Sequence, residues 1–275
     1  MATRRDYARE AVEAAHSVLI ELAHLLVEYR EKIVLIGGWV PEFLCSSPEK
    51  PHIGSVDIDL ALDHRRISQE SYKTIEHLLQ GRGYLTGNQP FVFVRKVKHG
   101  DREINVSVDL LSGEYEGTGR GRRHQRIQGI LARKVRGCDL AFDLFVEVTI
   151  EGELPDGGKD SVTIRVASMV PFISMKGLAL DERLKEKDAW DIYYCIRNYP
   201  GGLETLAGEF KPHVDRRQVR EGLDKIAKHF AGENHVGPTF VADFEEVTDP
   251  EERAFLKRDA FERVQAFLGK LGMVS

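Results

Sequence analysis

An apolar run, Ile33-Val34-Leu35-Ile36, ends abruptly in Gly37-Gly38, and a short segment later comes Ser55-Val56-Asp57-Ile58-Asp59-Leu60. This pairing constrains the fold more than any other feature of the chain. The run reads as a buried strand stopped by a glycine turn. In the second segment, residues two apart point to the same side of a strand. Asp57 and Asp59 therefore face one way, while Val56, Ile58 and Leu60 face a core. Two carboxylates held side by side repel each other unless a cation sits between them. Oxygen-only donors suit a hard divalent ion, and Mg²⁺ is the expectation. Gly37 and Gly38 would let backbone approach a phosphate closely, and Ser55 adds a hydroxyl that reads either as a phosphate contact or as an ordinary turn residue.

A second apolar segment, Val106-Ser107-Val108-Asp109-Leu110-Leu111, carries one carboxylate. Burying it unpaired would be costly. Asp109 thus reads either as a solvated strand-end residue or as a third carboxylate beside Asp57 and Asp59, completing a metal site.

Farther along, Phe172 to Tyr193 reads as a helical segment, and if unbroken as one continuous helix. In such a helix Lys176, Arg183 and Lys187, spaced by seven and four, fall on one stripe able to grip a triphosphate. The alternative is a solvated face of mixed charge, with Asp188 and Asp191 capping and opening a new helix. Lys176 differs from surface lysines in having apolar residues on both sides. A basic tract from Arg120 to Arg136, including Arg122, Arg123, Arg126 and Arg133, reads equally as an RNA contact or a solvated loop.

The pattern elsewhere is an amphipathic helix over 6–30, strands near 91–97, 104–111, 138–152 and 161–167, a loop-like 46–54, a helix opening at Ser68, and mostly helix after Pro171. This predicts an α+β chain: a sheet domain over 1–168 and a helical domain over 169–275 that closes a nucleotide cleft. Net charge is −5, so the chain as a whole is not a polybasic nucleic-acid binder, while a local basic patch stays open. Three scattered cysteines, Cys45, Cys138 and Cys195, fit a reduced cytoplasmic setting, and no signal peptide or membrane span is expected.

With these residues in place, the chain resembles the nucleotidyltransferase superfamily of the polymerase β-type fold, and within it the AbiEii/MenA-type toxin nucleotidyltransferases. The likeness runs through Gly37-Gly38, Ser55 to Leu60, Asp109, and the block from Lys176 to Ile192. It implies a mixed nucleotidyltransferase sheet flanked by helices and followed by a helical domain. It implies Asp57 and Asp59 as Mg²⁺ ligands with Asp109 as a third, and Lys176, Arg183, Lys187, Asp188 and Asp191 in nucleotide binding or catalysis. The implied reaction moves an NMP from an NTP to an acceptor hydroxyl, as at the 3′ end of tRNA, in a toxin with a partner antitoxin protein. Two features depart from the superfamily: Gly-Gly stands where many members have Gly-Ser, and the spacer from Gly38 to Asp57 is longer. A small-molecule nucleotidyltransferase of the antibiotic-modifying kind and a catalytically silent nucleotide- or RNA-binding protein are the competing expectations.

Overall fold

A computed structural model describes residues 3–47, 49, 51–63, 65–67, 69–99, 102–113, 124–127 and 130–274. In chain order the elements are α1 (Arg9–Leu25), β1 (Ile33–Ile36), α2 (Val40–Leu44), β2 (Asp57–Leu62), α3 (Gln69–Gly81), β3 (Leu85–Thr86), β4 (Val92–His99), β5 (Arg102–Ser112), β6 (His124–Ile127), β7 (Ile130–Lys134), α4 (Asp139–Asp143), β8 (Phe145–Glu153) and β9 (Lys159–Ala167). The helices α5 (Met169–Arg183), α6 (Glu186–Asn198), α7 (Gly202–Phe210), α8 (Arg217–His229), α9 (Val236–Phe244) and α10 (Pro250–Lys270) follow. No described helix is long and apolar enough to cross a membrane. The fold is α+β.

Contacts divide the chain into two units. One holds residues 8–40 and 54–168, the other 1–7, 41–53 and 169–275. The sequence places 1–7 and 41–53 in the sheet domain; in the structure they group with the helices.

The sheet unit is built on strand order β3-β4-β5-β2-β1-β9-β8. β2 and β5 run parallel, as do β1 and β9, while β1 and β2, β4 and β5, and β8 and β9 are antiparallel. All four residues of β1 are buried, as expected for a central strand covered on both faces. β2 and β5 alternate at the positions that matter: Ile58 and Leu60 are buried, as are Val106, Val108 and Leu110, while the residues between them are not. α1 buries Ala14, Ala15, Val18, Leu19 and Leu22, the spacing of one helix face. Each large side chain on that face contributes roughly 1.5–3 kcal/mol by leaving water. Glu21, also buried on α1, is held by Arg82 at 2.7 Å and Arg95 at 2.9 Å.

Three local expectations are corrected. The segment 138–152 contains α4 before β8 begins at Phe145. The basic tract is not wholly irregular: β6 and β7 pair antiparallel, and β7 joins β5 in parallel at Leu111 and Ser112. Ser68, Arg120, Arg122 and Arg123 lie outside the described residues, as do the side chains of Arg126 and Arg133. Finally, of the two readings of Phe172 to Tyr193, the continuous helix gives way to the one in which a new helix opens near Asp188. Leu184 takes a left-handed conformation (φ 48°) and Lys185 is extended, so α5 stops and α6 starts afresh at Glu186.

In the helical unit α5 and α6 are buried along nearly their whole length, the mark of helices surrounded by others. Ring pairs fill the core, with Trp190 and Phe244 at 4.9 Å and Phe210 edge-on to Phe267 at 5.1 Å. Asp249 caps α10, accepting from the backbone N–H of Glu251 and Glu252, with Pro250 in the first turn.

α5 and α8 meet through glycines. A Cβ on Gly222 would lie 2.4 Å from the Ser174 carbonyl oxygen, and one on Gly177 would lie 2.3 Å from that of Gly222. Gly222→Ala is expected to lose at least about 1 kcal/mol of unfolding free energy in urea titration, since overpacking outweighs the better helix propensity of alanine. Gly208→Ala, where a Cβ meets nothing within 4 Å, gains up to about 1 kcal/mol by the same propensity term.

Candidate functional site

The sheet unit presents the three carboxylates on one face. In the parallel pairing of β2 with β5, Asp59 lies opposite Asp109 and Asp57 opposite Ser107. Residues paired across adjacent strands, about 4.8 Å apart, share a face. Asp57 is exposed, and Asp59 and Asp109 are half-buried. Asp109 is therefore no isolated strand-end residue; it is the cross-strand neighbour of Asp59.

The glycine turn serves this arrangement directly. Ile36 pairs with Asp59 at the end of β1, and Gly37 follows with φ 73°. A Cβ there would lie 1.9 Å from Asp59 Oδ2. Gly37 is required by the carboxylate as much as by the turn. Gly38 is buried behind it in a single 3-10 turn ending at Trp39. Trp39 Nε1 donates to the Asp57 carbonyl oxygen at 3.0 Å, pinning the start of β2. Ser55 Oγ donates to Asp57 Oδ1 at 2.5 Å, which orients that carboxylate. These oxygens are the donor type that Mg²⁺ takes. Among the described residues, no three His, Cys, Asp or Glu side chains close on a common point as a finished metal cage.

The helical unit holds the remaining candidates in a buried ion network. Lys176 Nζ lies 2.8 Å from Asp188 Oδ1 and 2.7 Å from Asp191 Oδ2. Arg183 grips Asp188 with two donors, each at 2.7 Å. Lys187 Nζ donates to Asp191 Oδ1 at 2.9 Å and Oδ2 at 3.1 Å. The expected stripe of three cations is thus replaced by three cations converging on two carboxylates across the break between α5 and α6. Asp188 is the third residue of α6 and Lys185 its N-cap, so neither Asp188 nor Asp191 caps the helix.

Burial opposes every charge here, and pairing decides the outcome. Burial alone would raise Asp191, yet Lys176 and Lys187 hold it far below the usual carboxylate range. Asp188 is likewise pushed up by burial and brought below its ordinary value by Lys176 and Arg183. Burial would lower Lys176, but Asp188 and Asp191 carry it above the ordinary lysine range. Lys187 ends lower than an ordinary lysine: burial dominates and Lys176 repels it, against the pull of Asp191.

Sequence reasoning missed His52. Its side chain is wholly buried, with Nε2 3.1 Å from Asp191 Oδ1. It lies 5.1 Å from the Trp190 ring and 4.8 Å from that of Tyr194, centroid to centroid. Burial lowers its pKa to about 4, with Lys187 and Lys176 adding to the shift against Asp191. The signal in the sequence is slight: one histidine in a Pro- and Gly-containing stretch that reads as loop.

The network is sealed unevenly. Side-chain exposure is 0% at Asp191 and 1% at Asp188, but 10% at Lys176 and 43% at Arg183. Both carboxylates and both lysines are buried, and Arg183 alone reaches outward. Comparison with protein-family models, curated proteins and solved structures gives no match for the chain.

Two outcomes follow from this geometry. Gly37→Ala forces a left-handed alanine, costing about 1–2 kcal/mol, and drives its methyl into Asp59. Thermal melting should show the loss, while Gly38→Ala avoids the positive φ. His52 adds a pH dependence. An unfolded histidine takes its proton near pH 6.5, whereas folded His52 refuses one down to about pH 4. The unfolded state then binds more protons, so stability falls as pH drops through that window, by on the order of 3 kcal/mol. Urea titrations of His52→Phe should show a correspondingly shallower fall between pH 6.5 and 4. Asp188 and Asp191 contribute fully above the ordinary aspartate range, and lose their contribution only as pH falls toward their depressed values.

Proposed function

We propose that this chain is a Mg²⁺-dependent nucleotidyltransferase that moves an NMP from an NTP to an acceptor hydroxyl. The observation that carries this reading is the in-register pairing of Asp59 with Asp109, with Asp57 on the same face. Like charges on neighbouring strands are stabilised by a shared cation. Asp57, Asp59 and Asp109 would hold the metal, which when bound supplies charge neutralisation at the phosphate and a lowered pKa for an attacking hydroxyl. Ser55 keeps the Asp57 carboxylate oriented, and Gly37 leaves room for that of Asp59.

Arg183, the half-exposed cation of the network, and the largely buried Lys176 are the groups assigned to the negative charge of a triphosphate. Asp188 and Asp191, almost inaccessible, hold those cations in place rather than touching substrate. The role that the family resemblance gives Asp191 in catalysis is then indirect: it keeps Lys176 charged and fixed.

For the acceptor we propose RNA, in the manner of a tRNA 3′ end, with the chain acting as the toxin partner of an antitoxin protein. Support comes from the placement of the basic tract. Its described strand β7 joins β5 with Arg133 in register with Leu111, two positions along from Asp109. A basic segment there lies beside the strand that carries the proposed metal-site carboxylate, and phosphate backbones bind such segments.

The test is incubation with each α-labelled NTP, Mg²⁺ and total RNA. Label should appear in the tRNA fraction and vanish with EDTA. Asp59→Asn, which removes charge but not shape, should lower transfer at least about 100-fold while the circular dichroism spectrum and melting temperature persist. Label on a small molecule would move the acceptor assignment. Absence of transfer with every NTP would remove the reading.

A further inference from the structure

His52 belongs by sequence to the run leading into β2, but it packs with the helices as part of residues 41–53. Its backbone N–H donates to Ser46 Oγ at 2.9 Å, which fixes this stretch from within. Its ring fills a slot beside Trp190 and Tyr194. Of its polar contacts, the one to Asp191 bears on chemistry. The carboxylate accepts only, so Nε2 carries the proton and donates to Oδ1. Lys187 also bonds Oδ1, at 2.9 Å, and reaches Oδ2 at 3.1 Å. Oδ2 faces Lys176 at 2.7 Å.

An aspartate carboxylate rotates readily about its terminal torsion. Two lysines compete for Asp191, and without a third anchor it can turn wholly toward Lys187, its neighbour one turn back on the same helix. A neutral donor settles the competition without adding charge. We propose that His52 is a positioning residue: by holding Oδ1 of Asp191 it fixes the carboxylate's rotation with Oδ2 toward Lys176 and so aims the Lys176 ammonium. The rival role is ring packing alone, and the two are separable. Phenylalanine keeps the aromatic slot filled and loses the donor. Glutamine loses the ring and keeps an N–H at similar reach.

The consequence for triphosphate binding rests on the nucleotidyltransferase reading, whereas the positioning itself does not, so two measurements are needed. The first is NMR of the side-chain ammonium signals in ¹⁵N-lysine-labelled full chain, with Lys176→Met giving the assignment. Buried, ion-paired ammonium protons exchange slowly. The Lys176 signal should persist in the wild type and in His52→Gln, and be shifted or lost in His52→Phe. Should His52→Phe fail to fold by circular dichroism, His52→Leu is compared with His52→Gln: both lack the ring, so loss of the signal in the leucine variant alone isolates the donor. The second is calorimetric titration with inorganic tripolyphosphate and Mg²⁺, the moiety common to all NTPs. His52→Phe should weaken binding about tenfold, the scale of one hydrogen bond to a charged group, and His52→Gln should stay within about threefold of wild type.

An unchanged Lys176 signal in folded His52→Phe would overturn the proposal. Equal loss in the Phe and Gln variants, both folded, would assign the effect to ring packing and overturn it as well. A shifted signal in His52→Phe alone, with no tripolyphosphate binding by the wild type, would uphold His52 as a positioning residue while counting against the nucleotidyltransferase reading.

Discussion

Two ammonium groups and two carboxylates buried among helices cannot exist singly. Removing Lys176, Lys187, Asp188 and Asp191 from water costs several kcal/mol per ion, and only close mutual pairing offsets it. That requirement shapes the helical unit. Asp188 and Asp191 lie three apart on α6, so their carboxylates sit on neighbouring positions of one face. Lys176 comes from α5, and the chain must reverse course between the two helices to bring them together. The left-handed Leu184 and extended Lys185 make that turn. Breaking any pair would leave an uncompensated charge, which is far worse than the modest net value of the intact pair. Such a network gives little stability for its size.

The sheet unit solves a related problem differently. Its carboxylates stand on one face of adjacent strands, where Asp59 and Asp109 lie opposite each other. Here the structure accommodates the negative charge by position: a glycine without a side chain beside Asp59, a serine hydroxyl on Asp57, and a strand start tied by Trp39. In one unit opposite charges are enclosed together; in the other, like charges are gathered on one face of adjacent strands.

Much of the sheet was legible in the residues because its signals are local. The apolar run of β1 ends at a glycine with positive φ, and the alternation of β2 needs no tertiary information. That Asp109 stands opposite Asp59 follows from strand order and register, which period-two patterning leaves open. The helical block misled in a specific way. Lys176, Arg183 and Lys187 do lie at helical spacings, but Leu184 is not a residue that announces a break; glycine or asparagine at that position would have done so. His52 was illegible because its partner lies 139 residues away. The β6–β7 hairpin was hidden by a composition of Gly, Arg and Gln that reads as loop.

The path of residues 41–53 has a consequence for the molecule as an object to be cut. The chain leaves the sheet after Val40, lends a short stretch to the helices, and returns at Gly54. A fragment beginning at Met169 would keep Asp191, Trp190 and Tyr194 but lack the imidazole that sits against them, leaving an open slot and a carboxylate short of a donor. No single scission yields both units whole.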